Sequence, residues 1–454
     1  MYLVGALVAL CILLALGRQP KESNMKRTRS GWMIWLALVM VAGVRVQEIP
    51  AAVSNLVSPE QMNAAFGVPL WVDDNLWAQT IEDVSRRLQA REESNTGKES
   101  CYRVHVDQIL GVSPENMKLI GKDGKMDAVL IMFANKGDTL GLAPKQEKYP
   151  SSKEFKKAAI EFRKRDRQLA KTIKAQSDQV EQTLKGLLGN YTKKRFGEGH
   201  KTAEWVKTWH WTNHVFLLSE QKDASLSLRI VSPACAETRG RAKRVTDTDL
   251  KAELKTRVVR RDNGDVVVTG IPMIDQGQKG YCVPTTWARY LRYMGIPADE
   301  YMLANAAQTQ KGGGTSNVKM LSAVTQMVKQ NRRTIKTRTG RITLNQVAKY
   351  IDNGLPIMWS MYSVGPFKGV GQSADRMGGE SPEAWKQSLK NARKAAKKLK
   401  RTPGQGHVCM IIGYNPRTDE IATSDSWGLR HAEKWYTLDE VQAVSQNEIF
   451  VIAW

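Results

Sequence analysis

Five cysteines and six histidines in 454 residues leave little material for metal chemistry, and none of it is arranged for that purpose. There is no Cys-x-x-Cys pair and no histidine cluster at metal-ligand spacing, so neither a metal nor another cofactor is expected. Long apolar runs are scarce too: residues 1–16 and 31–44 are both apolar, and each falls short of the roughly eighteen residues of a spanning helix. No helix-turn-helix, zinc-finger or aromatic RNA-binding signature occurs, which argues against specific nucleic-acid recognition. Acidic residues number 45 against 68 basic ones, giving a net charge of +23 and a pI near 9.7. Dropping residues 1–43, with five basic residues and one acidic, still leaves +19.

An apolar content of 42% and a charged content of 25% are ordinary for globular protein, and the length suits two domains with sizeable cores. Residues 1–43 read as a leader. From Met25, the run Lys26, Arg27 and Arg29 followed by fourteen apolar residues and Val41-Ala42-Gly43 has the layout of a secretory signal, which suggests that Met25 is the true start. If Met1 is the start, a membrane anchor or helical hairpin competes. Either way an exported protein is expected: periplasmic, cell-surface or secreted, with membrane contact if the leader is retained.

Residues 47–232 read as a separate α+β domain of no recognised family. Asp74–Arg91 has the pattern of an amphipathic helix, and MDAVLIMFANKG that of a buried strand ending in a turn. Ser151–Leu188 is the strongest helix pattern, with Phe155, Ile160, Leu169, Ile173 and Val180 set among alternating charges. WHWTNHVFLLSE and SLSLRIVSP read as a strand pair. Trp205, Trp209 and Trp211 suit a ligand-stacking surface or, equally simply, a half-buried strand. Cys101 and Cys235 could pair in an oxidising compartment.

Residues 235–264 are charged and poor in large apolar groups, the composition of a linker, and Lys243-Arg244 and Arg260-Arg261 offer basic dipeptides for proteolysis. A second domain, 265–454, carries a basic insertion at 383–401. Within it, residues 385–401 contain eight basic residues and no acidic one, with Trp385, Leu389, Ala392 and Ala396 near one helical face. Such a helix attracts an anionic surface or polymer, or serves as a solvated face or a lid between flanking parts.

The chemistry concentrates in that second domain. Cys282 stands six residues after Gln276; His407 opens an apolar strand, GHVCMIIGY; Asp425 follows eighteen residues after it. A thiol becomes a strong nucleophile as the thiolate, which an adjacent imidazole favours by taking its proton. His407 is the candidate base, and Asp425 the group that fixes its orientation and tautomer. Attack on a carbonyl creates an oxyanion, which the Gln276 amide and the backbone N–H of Cys282 can stabilise by about 3 kcal/mol. Residues 287–293 suit a buried helix, so Cys282 sits near a helix N-terminus that favours negative charge.

These residues resemble the papain-like cysteine peptidases. QGQKGYC matches the Gln-Gly-x-x-Gly-x-Cys signature, DSWG matches Asn-Ser-Trp-Gly, and the order Cys, His, Asp or Asn is the same. The resemblance covers 265–454 and implies a two-part fold, helical half and antiparallel sheet, with a cleft between them. It implies Cys282 as nucleophile, His407 as base, Asp425 as its orienting group, Gln276 in the oxyanion hole, and Trp427 as the shield of the His–Asp contact on the substrate side. Lys279 replaces a disulfide cysteine, Val283 a tryptophan and Asp425 an asparagine. Those departures point to the compact bacterial branch that includes the peptidase domains trimming double-glycine leaders from bacteriocins. By the same resemblance Gly313 and Gly314 are candidates for pairing with a substrate backbone, although a flexible loop leading to a helix start explains them as well. N-terminal pro-domains that cover the cleft are common in such peptidases, which invites that role for 47–232.

The expected function is peptide-bond hydrolysis through a thioester acyl-enzyme, on a peptide or protein substrate. An amidase or acyl transferase acting on cell-wall peptides would use the same residues. A binding module that has lost turnover and works through its basic surface is the alternative of a different class.

Overall fold

The alternating and continuous apolar runs of this chain are built into two antiparallel sheets, each covered by its own apolar core. The computed structural model describes residues 57–241, 243–277, 279–309, 314–368, 381–401 and 406–454; the leader and Gly313 lie outside the described residues. The first sheet comprises β1 (Arg91–Asn95), β2 (Glu99–Val104), β3 (Asn116–Lys122), β4 (Lys125–Asn135), β5 (Thr192–Phe196), β6 (Glu204–Trp211), β7 (His214–Gln221) and β8 (Ser225–Val231). Its order is β1-β2-β3-β4-β8-β7-β6-β5.

Helix Ser152–Leu188 lies against this sheet. The Ser151 hydroxyl accepts the Glu154 N–H and starts it, and Leu169, Ile173, Val180 and Leu184, spaced four and seven apart, form its buried stripe. Two expectations needed revision. The Asp74–Arg91 stretch is not one helix: a short turn at Leu76–Ala78 is followed by helix Ile81–Arg87, because Thr80 caps a fresh start by accepting the Asp83 N–H. WHWTNHVFLLSE is also broken, since Thr212 turns the chain with φ 45° and makes β6 and β7 a hairpin before β7 pairs with β8. Trp209 and Trp211 are buried in β6 while Trp205 is exposed, as a half-buried strand requires. Cys101 and Cys235 are both free thiols, and burial pushes that of Cys101 up to about 11.

The second sheet comprises β9 (Val258–Arg260), β10 (Val266–Val268), β11 (Thr334–Thr339), β12 (Ile357–Tyr362), β13 (Gly406–Asn415), β14 (Glu420–Ser424), β15 (Lys434–Thr437) and β16 (Ser445–Ala453). Its main order is β11-β16-β12-β13-β10-β9, with β14 pairing to β13 and β15. Helices Cys282–Tyr293, Glu300–Ala306 and Asn317–Gln330 form the helical side. Trp287, fully buried, meets Phe450 of β16 with ring centroids 6.1 Å apart.

The charged stretch 235–264 does more than tether. It takes in the end of helix Pro233–Glu237, helix Asp247–Thr256 and strand β9, and Leu250 and Leu254 are buried in the second core. Two apolar residues four apart suffice to seat an otherwise charged helix, which composition alone conceals. Arg261 makes a two-pronged pair with Glu433 at 2.6 and 2.8 Å, so the Arg260-Arg261 dipeptide is fastened to the second sheet. Val57–Trp454 is one compact unit. If this stretch is core rather than tether, Leu254→Ala lowers unfolding stability by about 2–5 kcal/mol in a urea titration, where a tether residue would leave the midpoint unchanged.

Candidate active site

Cys282 is the first residue of helix Cys282–Tyr293, and Tyr281 occupies the cap position. The first-turn N–H groups of a helix are unpaired, so the Sγ atom lies where negative charge is favoured. His407 is the second residue of β13, opposite Met361 of β12, and Asp425 follows the last residue of β14. Because β13 and β14 are paired, with Met410 opposite Ser424, the carboxylate is carried back to the imidazole. Nε2 of His407 lies 2.8 Å from both Oδ1 and Oδ2 of Asp425. Nδ1 is then the ring nitrogen not engaged by Asp425, and the Cys282 sulfur is among the groups that favour the charged ring.

The electrostatics favour a charged imidazole. Burial opposes its protonation, but the Asp425 carboxylate and the Cys282 sulfur outweigh that and hold the His407 pKa well above the ordinary value. For Asp425, burial pushes upward, and the His407 charge, the Ser426 N–H at 2.7 Å and the Arg289 guanidinium together hold it below the usual carboxylate range. The indole of Trp427 lies nearly parallel to the imidazole, at 27° and 6.2 Å between centroids, and is itself 38% exposed.

Gln276 is buried, and its backbone N–H donates to the Ser426 carbonyl at 2.8 Å. The side-chain oxygen has no hydrogen-bond partner among the described residues. An oxyanion would call on the Nε2 donor of the same carboxamide, not on this acceptor. Gly314 has open space where a side chain would stand, as an approach by a substrate backbone requires. Ser316 precedes helix Asn317–Gln330 without a side-chain cap bond, and Thr315 pairs with Thr309 at 2.7 Å.

One group central to the site was passed over in reading the sequence. Arg289 lies two turns along from Cys282, fully buried. Its Nε donates to the Pro272 carbonyl at 2.8 Å, Nη2 to Ser424 Oγ at 2.6 Å and Nη1 to Ser426 Oγ at 3.2 Å, so it grips both neighbours of Asp425. Burial lowers its pKa to about 10. One turn along from Cys282, the Thr286 hydroxyl donates to the Val408 carbonyl beside His407 at 3.1 Å. The signal was available: a charged residue inside the apolar run WARYLRY needs a buried partner.

The basic helix spans Pro382–Ala396, with Lys386, Lys390 and Lys394 exposed. It contacts β15 and helix Leu438–Val444 rather than bridging the Cys282 and His407 elements. Among the described residues no group of three His, Cys, Asp or Glu side chains could hold a metal ion, and no helix is long and apolar enough to cross a membrane.

Residues 268–451 match the model of the Peptidase_C39 like family. This match supports a relationship of residues 268–451 to the bacteriocin-processing group of papain-like cysteine peptidases, and with it a cysteine peptidase-type function. No curated protein matches the chain.

The raised His407 pKa fixes the sign of a pH effect. An imidazolium stabilised by Asp425 persists as pH rises through the ordinary imidazole range of about 6.5 and is lost only above it. Side-chain NMR titration of His407 should give a midpoint well above 6.5, and Asp425→Asn should move it downward. A wild-type midpoint at or below 6.5 would contradict the electrostatic account.

Proposed function

We propose that the chain is an exported cysteine peptidase that hydrolyses peptide bonds through a thioester acyl-enzyme. The observation that carries this reading is the His407 imidazole paired with the Asp425 carboxylate at 2.8 Å and within electrostatic reach of the thiol at the head of the Cys282 helix. In the first step the Cys282 sulfur attacks the scissile carbonyl carbon. The oxyanion is met by the Cys282 backbone N–H and the Gln276 carboxamide. The tetrahedral intermediate collapses as the C–N bond breaks, and the imidazolium of His407 gives its proton to the leaving amine. Water then enters, His407 takes a proton from it, the hydroxide oxygen bonds to the thioester carbon, and the C–S bond breaks to release the acid and the thiolate. Asp425 holds the ring in place throughout and offsets its charge.

Export rests on the sequence of residues 25–43, and the substrate class on the relationship of residues 268–451. A second reading, an amidase or acyl transferase acting on cell-wall peptides, shares every step up to the thioester. The exposed lysines of helix Pro382–Ala396 favour it, because they offer a docking face to an anionic polymer.

Cleavage of a peptide library by full-length protein, set beside digestion of purified cell wall, separates the two. The peptidase reading expects peptide products that vanish with Cys282→Ala and a kcat lowered about a hundredfold to a thousandfold by Gln276→Ala. Release of wall fragments without library cleavage would replace it with the amidase reading.

A further inference from the structure

The segment from Met273 to Cys282 carries both Gln276, the proposed oxyanion amide, and the nucleophile. Gly277 and Gly280 stand at φ 58° and 70°, conformations that glycine adopts freely, and the Gly277 N–H donates to Asp275 Oδ1 at 2.9 Å. The helical side supplies part of the grip. Tyr301 receives the ammonium of Lys279, with Nζ 3.2 Å from its hydroxyl and 4.8 Å from its ring centre.

The remaining holds come from the first sheet. The Ser94 hydroxyl of β1 accepts the Met273 N–H at 2.9 Å, in a buried contact. Asp138 Oδ1 pairs with Lys279 Nζ at 2.9 Å, the lysine side chain being only 5% exposed. Asn135, the last residue of β4 and fully buried, accepts the Tyr281 hydroxyl proton on Oδ1 at 3.0 Å. That same Oδ1 accepts the N–H groups of Gly137 and Asp138, capping helix Lys136–Leu140, so Asn135 cannot swing away without uncapping it. Gly137 is required there: a Cβ on it would lie 2.7 Å from the Tyr281 ring. Met132 of β4 completes a small apolar cluster with Tyr281, Tyr301 and Ala304.

We infer that the first sheet is a built-in support for the catalytic loop, and that Asn135 and Asp138 are positioning residues acting on Cys282 through Tyr281 and Lys279. This rests on the peptidase reading of Cys282 and deepens it. The mechanism is geometric. Lys279 and Tyr281 are three and one residues from the nucleophile, and a displacement of about 1 Å at a reacting group costs on the order of a hundredfold in rate. Replacing the Asp138 carboxylate by a neutral amide keeps an acceptor but removes the charge that pairs with buried Lys279, which weakens the hold on the loop.

The test uses the full chain and needs no substrate. The rate of Cys282 alkylation by iodoacetamide is followed from pH 5 to 9 by peptide mass spectrometry, for wild type, Asp138→Asn and Tyr281→Phe, with thermal unfolding of each. Tyr281→Phe removes one hydroxyl and keeps the ring, so it reports even if Asp138→Asn fails to fold. Glu181→Gln, which breaks a Lys207 pair elsewhere on the same sheet, is the control for general destabilisation. The inference expects rates at pH 6 about tenfold or more below wild type in both variants, with the profile moved to higher pH, and an unchanged control. Wild-type rates and profiles in a folded variant, with or without a lowered melting temperature, would overturn it. A wild-type Cys282 no more reactive at pH 6 than an unfolded-chain thiol would instead sink the peptidase reading, and the positioning role with it.

Discussion

The buried guanidinium of Arg289 is the contact on which the site's geometry depends. Its three nitrogens reach Pro272, Ser424 and Ser426, and it rides on the helix that begins at Cys282. A helix is stiff over two turns, so a side chain seven residues from the nucleophile fixes where the nucleophile stands relative to the strand end bearing Asp425. Thr286, between them, fixes the same helix to the strand bearing His407. Thiol, imidazole and carboxylate come from three elements far apart in the sequence, and two polar side chains on one helix join them. The guanidinium is costly to bury, which its lowered pKa records, and its hydrogen bonds offset part of that cost.

Charge then follows geometry. Asp425 accepts the Ser426 N–H, faces His407 with both oxygens and lies in the field of Arg289, so it stays ionised although buried. An ionised carboxylate holds a proton on the imidazole, and an imidazolium beside a thiol favours the thiolate. An asparagine in place of Asp425 would orient the ring without offering that charge. The aspartate therefore ties this site's reactivity more closely to electrostatics than an amide would.

Much of the site was legible in the sequence because its chemistry is written in short motifs. QGQKGYC and DSWG each place several functional groups within a few residues, and His407 opens a clear strand. Helix Ser152–Leu188 was equally plain, since its charge pattern runs unbroken for ten turns. What escaped notice is long-range. Lys279 could be seen to depart from the papain-like pattern, but its partner Asp138 lies 141 residues away, and no local pattern announces such a pair. The 235–264 stretch misled for a related reason: two leucines decide its helix's fate, and average composition hides two residues. The break at Thr80 was visible as a capping residue, and the amphipathic pattern across it outweighed that signal.

The central claim is that Cys282 is a nucleophile made reactive by His407. Its most direct test is covalent labelling of folded protein with a thiol-directed epoxide inhibitor at or below pH 8, located by mass spectrometry, in wild type and His407→Ala. The account predicts stoichiometric labelling at Cys282 in wild type and its loss in the variant. No labelling of wild type, or equal labelling of both, would contradict it.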